Sequence, residues 1–376
     1  MTPDLRQISF NTNHGTSTMA ASPGLMNGET FTIAAAVPML VYHRPGRALS
    51  TPLVVFIPGG GHLARVSYGY PDGNPQDFLD HWLGEAGYGF LAPSVATGPH
   101  FPVSASCDVT RLQWADALSE LIADATATAG QRRSVIILAW SMASNVVGPL
   151  AVALRKRGVD IEAFIPMAAR PPLPSGSGDD RSMERVDDKG FWDVAGSPVS
   201  GVPRRLSWLA EIAAIEAELG RKVLPSKDYE KYVLVATPPA LRHERGSPAA
   251  SDDLDTLPMA LPIAPTDQRD FRHALGDITG WAHMNAQIIV RRYASSYAAQ
   301  GGSMDATSWT KLSSLVADLP KRLGATIDGG HFFFVGERGA SATAATVIKL
   351  MARNQALQAE LASLLGEPRT SVSTDG

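Results

Sequence analysis

Ser141 lies in Ala139-Trp140-Ser141-Met142-Ala143, between two segments of opposite character. Before it, Ser134 to Leu138 is a short apolar, β-branched run, the pattern of a strand buried on both faces. After it, Ser144 to Arg157 carries Val147, Leu150, Ala151 and Leu154 at helical intervals and closes on Lys156, Arg157 and Gly158, which are helix-stop residues. A serine on a sharp strand-to-helix turn exposes its Oγ for attack on an electrophile, provided that the residues two before and two after it are small. Both are alanine here, giving A-x-S-x-A in place of G-x-S-x-G. The same residues also suit a serine that merely caps a helix.

Two other stretches carry chemistry. Pro58-Gly59-Gly60-Gly61 follows the apolar run Pro52 to Ile57. Glycines let backbone N–H groups approach a developing oxyanion, which bulkier residues would obstruct. Such a run could instead cradle phosphate, but the G-x-G-x-x-G spacing is absent and no Lys-Ser/Thr follows. His331, in Asp-Gly-Gly-His-Phe-Phe-Phe, is one of nine histidines. Two glycines permit an exposed loop, three phenylalanines can anchor it, and the imidazole is a candidate general base. His62 adjoins the glycine run and is expected, with Trp140, to line a substrate pocket.

The elements that must position these residues alternate. Thr30 to Ala36 and Pro38 to His43 read as strands, as do Pro52 to Ile57, Gly89 to Pro93, the run before Ser141, and Ala163 to Met167. Asp77 to Gly87 and Val109 to Ala129 read as helices, the latter with Leu112, Ala115, Leu118, Leu121 and Ile122 on one side. Strands alternating with helices predict a mostly parallel sheet covered on both faces, an α/β fold.

From Arg170 the character changes. Arg170 to Asp180 is Pro/Gly/Ser-rich, Arg205 to Gly220 is a strong helix, and proline-rich loops run to about residue 265. The expected organisation is an arm over 1–28, a core over 29–169 and 269–376, and an inserted helical cap over 170–268. Trp192, Trp208, Met183 and Met259 in that insertion suggest a bulky, largely apolar ligand. In the returning core, Asp270 to Leu275 is read as a strand, Met284 to Gln300 as a helix, Ser313 to Leu319 as a strand, and Thr343 to Leu364 as a terminal helix.

Composition narrows the function. The 376 residues carry a formal net charge of -4 and no basic stripe, so no nucleic-acid partner is expected. Cys107, the single cysteine, excludes an intramolecular disulfide and a cysteine-rich metal site. The first 25 residues are polar without an apolar h-region, and no run of 18 apolar residues occurs. A cytoplasmic protein without a membrane span is the expectation. A homodimer remains open.

A strand followed by a glycine loop, then a serine elbow, then a late histidine: this order resembles the α/β-hydrolase superfamily of esterase- and lipase-like serine hydrolases with a cap insertion. The resemblance covers about residues 30–170 and 268–365. It implies Ser141 as nucleophile, His331 as base, and an oxyanion hole formed by Met142 with Gly60 or Gly61. It requires neither cofactor nor metal. The third member is an acid, usually placed after the seventh strand. Asp277 occupies that place if Asp270 to Leu275 is that strand, and Asp305 is the rival. The slot after the sixth strand, Phe164 to Met167, has no carboxylate, and Asp328 is too near His331 in sequence to face its ring. The implied reaction is hydrolysis of a small-molecule carboxylic ester, lactone or thioester. The same residues would also serve an acyltransferase, a C–C hydrolase or a cyclase of a biosynthetic pathway, and the fold could be a non-catalytic receptor.

Overall fold

The computed structural model describes residues 24–48, 50–128, 131–172, 185–199, 202–242, 256–299 and 301–366. Most of the expected arm, most of the Pro/Gly/Ser linker after Arg170, and Met183 lie outside them.

Eight strands form one sheet: β1 (Glu29–Ala34), β2 (Val37–Arg44), β3 (Leu53–Ile57), β4 (Gly89–Val95), β5 (Val135–Trp140), β6 (Ile161–Met167), β7 (Ile263–Pro265) and β8 (Ala325–Ile327). Their order is β1-β2-β4-β3-β5-β6-β7-β8. β2 runs antiparallel to β1 and β4, and the pairings from β4 to β8 are parallel. Every residue of β3 (LVVFI) and β5 (VIILAW) is buried, as continuous apolar runs require when helices cover both faces. The β1–β2 hairpin turns at Ala35 and Ala36, both at positive φ, so the first strand ends at Ala34, two residues short of the expected Ala36, and the second starts at Val37.

Among the described residues, seven longer helices accompany the sheet: α1 (Leu79–Glu85), α2 (Arg111–Thr126), α3 (Val147–Lys156), α4 (Arg204–Leu219), α5 (Phe271–Ile289), α6 (Ala306–Ala317) and α7 (Glu337–Leu365). α2 starts at a reciprocal cap in which Thr110 Oγ1 accepts the Gln113 N–H and Gln113 Oε1 accepts the Thr110 N–H. α2 packs on α3, and α7 packs on α1.

Two expectations are corrected. The seventh strand is β7 at 263–265, not Asp270 to Leu275, which opens helix α5. The buried positions Asp277, Trp281, Met284, Asn285 and Ile288 recur at helical spacing. Gly280 sits within the helix because Pro171 crowds it. A Cβ there would fall 2.8 Å from Pro171 Cγ. Ser313 to Leu319, expected as a strand, lies mostly in α6. The excursion from the sheet therefore spans 168–262, since 263–265 already belongs to the core. Among the described residues, no helix is long and apolar enough to cross a membrane.

Candidate active site

The elbow forms where β5 ends. Ser141 has φ +55°, a left-handed conformation that costs a non-glycine residue about 1–2 kcal/mol. A short 3₁₀ turn over Ser141–Val146 then leads into α3. Ala139 and Ala143, the two small residues of the elbow, are both fully buried. Gly59 passes so close that a Cβ on it would lie 2.9 Å from Ser141 Cβ and 3.3 Å from the Trp140 carbonyl oxygen. The glycine run and the serine turn are thus pressed together, and glycine at 59 is required by contact with the elbow.

The glycine loop is pinned from the excursion. Gly61 N–H donates to Thr237 Oγ1 at 2.7 Å, Leu63 N–H to the Val233 carbonyl, and Val235 N–H to the Gly61 carbonyl. The Gly61 N–H is therefore engaged. Of the two glycine donors expected for an oxyanion hole, this leaves Gly60, beside Met142, whose Sδ a Cβ on Gly60 would meet at 3.2 Å.

His62 does not line an open pocket. It is 4 % exposed and lies within 4.5–5.8 Å of the rings of Trp208, Trp140, Phe332 and Tyr229. Its Nδ1–H donates to the Gly60 carbonyl at 2.9 Å, and its Nε2 accepts from the Tyr229 hydroxyl at 2.7 Å. Burial drives its pKa down to about 3, so the ring is neutral and holds the Gly60 peptide in place. Trp140 is likewise fully buried. Its indole N–H donates to the His331 carbonyl at 3.0 Å, and its rings lie 5.1 Å from the imidazole. Trp140 thereby links Ser141, its neighbour in the chain, to His331.

The partner of His331 is Asp270, with Nδ1 and Oδ2 2.8 Å apart. Neighbouring parallel strands bring the two together: Pro265 of β7 pairs with Ile327 of β8, and the loops beyond them are joined where the N–H groups of Thr266 and Asp267 donate to the Gly329 carbonyl. Burial alone would raise the Asp270 carboxyl, but the charge and hydrogen bond of His331 hold it below its ordinary value. Burial pulls the imidazole down, and the charges of Asp270, Glu211 and Asp277 outweigh it, so His331 titrates above its usual value.

The expected pairing with Asp277 is corrected by this geometry. Asp277 lies seven residues along α5 from Asp270 and accepts from His273 Nδ1 at 3.0–3.1 Å, one helical turn away. Its side chain is 1 % exposed, and burial raises its carboxyl. The rival Asp305 caps the exposed start of α6, accepting from the Thr307 and Ser308 N–H groups. Asp328 is exposed and pairs with Arg338. Asp270, His273 and His331 place potential ligand atoms within 4.8 Å of one another. The Nδ1 of His331 faces Asp270 and the Nδ1 of His273 faces Asp277, outside that cluster.

Sequence reasoning missed Asp270, Thr237, Tyr229 and Glu211. For Asp270 a signal existed: Asp267 accepts the Arg269 N–H at 2.8 Å, the local turn that precedes many helices, which places the helix start next to Asp270. The other three belong to the excursion, and no local pattern marks them. Two surface grooves of about 380 and 490 Å³, between the Ala306–Leu323 region and α7, share no residue with the site.

Strand order 1-2-4-3-5-6-7-8 with β2 reversed, a serine elbow after β5, an acid after β7 and a histidine after β8 decide the architecture. The chain has the α/β-hydrolase fold. No family model and no curated protein matches this chain. Solved structures similar to it include an esterase from a Rhodococcus species, at 15% identity and TM-score 0.48, covering 86% of this chain and 98% of that one. An epoxide hydrolase from Vigna radiata aligns at 13% identity and TM-score 0.47 over 88% of this chain and 100% of that one. The thioesterase domain of the curacin biosynthetic pathway aligns at 12% identity and TM-score 0.43 over 85% and 98%.

Proposed function

We propose that this protein is a serine hydrolase acting on a carboxylic ester, lactone or thioester. The observation that carries the proposal is the strained Ser141 at the end of β5, linked through Trp140 to a His331–Asp270 pair with a 2.8 Å hydrogen bond. In this reading Ser141 Oγ attacks the carbonyl carbon while His331 Nε2 accepts its proton. Asp270 holds the Nδ1–H, fixing the tautomer that leaves Nε2 bare, and stabilises the imidazolium. The oxyanion accepts hydrogen bonds from the Met142 and Gly60 N–H groups, while Gly61 supports the loop through Thr237. His331 then protonates the leaving group. Water, activated by the same imidazole, attacks the acyl carbon and releases the acid.

The excursion over 168–262 acts as the cap. Trp192 and Trp208 lie against Gly60 and Gly61, and with Met142 and Phe332 they give the site an apolar surround that favours a bulky, largely apolar acyl or alcohol group. The test is a fluorophosphonate probe on the native chain, with identification of the modified peptide. Modification of Ser141, lost in heat-denatured protein and in Ser141→Ala, supports the proposal. An unlabelled Ser141, or an undiminished esterase rate in Ser141→Ala, refutes it. Product analysis with water and alternative acceptors separates hydrolysis from acyl transfer.

A further inference from the structure

Glu211 is a charged residue that stability alone does not explain. It lies on α4 of the excursion, 6 % exposed, on the same helix as the buried Trp208 and Ile212. A buried carboxylate is costly unless hydrogen-bond donors meet it. Here the donor is the loop that carries His331. Phe332 N–H donates to Glu211 Oε1 at 2.5 Å. On the other side of His331, Gly330 approaches so closely that a Cβ would lie 2.7 Å from Glu211 Cδ. The carboxylate thus touches both chain neighbours of the histidine. Burial raises its pKa, and the N–H groups of Phe332 and His331, with the charge of His331, oppose that rise.

We infer that Glu211 is a positioning residue for His331, fixing the histidine loop from the excursion and supporting the imidazolium formed when Ser141 gives up its proton. This rests on the reading of Ser141 and His331 given above. It also ties the excursion to the proton-transfer step, since undocking α4 would release the loop. His331 then stands between two carboxylates from different parts of the chain, Asp270 at the ring and Glu211 at the backbone. The other titratable groups facing the pair are Asp277 and His273 on α5, Arg269 and Tyr229 beside Glu211, and His62 under the glycine loop.

The test is the pH dependence of the rate at which a fluorophosphonate modifies Ser141 in the full chain, for wild type, Glu211→Gln, Glu211→Asp and Gly330→Ala, each with its thermal unfolding curve. Glu211→Gln keeps the shape and removes the charge. Its plateau rate is expected to fall about ten- to hundredfold, as for a small misplacement of a reacting group. Its acid midpoint is expected to move down by about one pH unit, because a negative neighbour of the imidazolium is gone. Glu211→Asp retains the charge on a shorter arm and should restore the midpoint but not the full rate. Gly330→Ala pushes the carboxylate off the loop and should reproduce the rate loss. A folded Glu211→Gln or Gly330→Ala with wild-type rate and midpoint overturns the role of Glu211. Failure of wild-type Ser141 to react overturns the hydrolase reading itself, and this inference with it.

Discussion

Asparagine at 270 and asparagine at 277 should have very different consequences, although both carboxylates lie on or beside α5 and each faces a histidine. Asp270 Oδ2 is 2.8 Å from His331 Nδ1, and the two side chains are 17% and 15% exposed. In Asp270→Asn the amide NH₂ can face Nδ1, which then needs a lone pair there. The ring proton moves to Nε2, where it blocks acceptance of the Ser141 proton. Loss of the orienting aspartate in such a triad lowers turnover about 10⁴-fold, equivalent to about 5.5 kcal/mol of transition-state stabilisation. Asp277 meets His273 and the Ala169 backbone N–H, not the His331 ring, and acts on His331 through its charge. Its removal should cost no more than about tenfold, the value of one pKa unit. The assay is steady-state hydrolysis of an activated p-nitrophenyl ester by wild type, Asp270→Asn and Asp277→Asn, with circular dichroism to establish folding. A folded Asp270→Asn within tenfold of wild type would refute the triad argued here. So would an Asp277→Asn loss as deep as that of Asp270→Asn.

Because His331 must be neutral to act and titrates above its ordinary value, esterase activity should fall as pH drops through that raised pKa; an acid limb lying well below pH 6 in kcat/KM would contradict it. Ser141→Gly should abolish activity yet stabilise the fold by about 1 kcal/mol in urea unfolding, since glycine relieves the positive φ; a less stable glycine variant would show that the elbow is unstrained. Arg65 and Glu29 form an ion pair at 2.6–2.7 Å whose side chains are 1% and 0% exposed. Arg65→Met alone should therefore cost about 3–5 kcal/mol, and adding Glu29→Leu should recover most of it; an unchanged midpoint in the single variant would count against the pairing. His62 has a folded pKa of about 3, below its unfolded value of 6.5, so its contribution is intact above pH 6.5 and is lost at about 1.4 kcal/mol per pH unit as pH falls toward 3. His62→Gln should flatten the stability curve between pH 6.5 and 4.5, a window in which the raised His331 is protonated in both folded and unfolded chains and adds no slope; an unchanged slope would indicate that His62 is not held neutral.

The parts of this protein that were legible in the sequence are those where one local rule dominates. Burial on both faces of a sheet demands an unbroken apolar run, so β3 and β5 stand out, and the residue after β5 is identified as the elbow without any tertiary knowledge. Gly59 to Gly61 follow β3 in the same way. β7 was missed because Ile263-Ala264-Pro265 is too short to show a period and lies inside a proline-rich stretch. That one omission moved the acid from Asp270 to Asp277, because the search for a carboxylate started from the wrong strand.

Ser141, His331 and the glycine loop follow from order along the chain, which sequence records directly. Their partners follow from which strand ends lie side by side, and a linear pattern does not encode that. Asp270 meets His331 because β7 and β8 are parallel neighbours. Thr237 and Tyr229 meet the glycine loop, and Glu211 the histidine loop, because the excursion folds back across the strand ends over sequence separations of 176, 167 and 121 residues. Each of these is a single polar contact within an otherwise ordinary segment, and only the packing of the whole chain selects it.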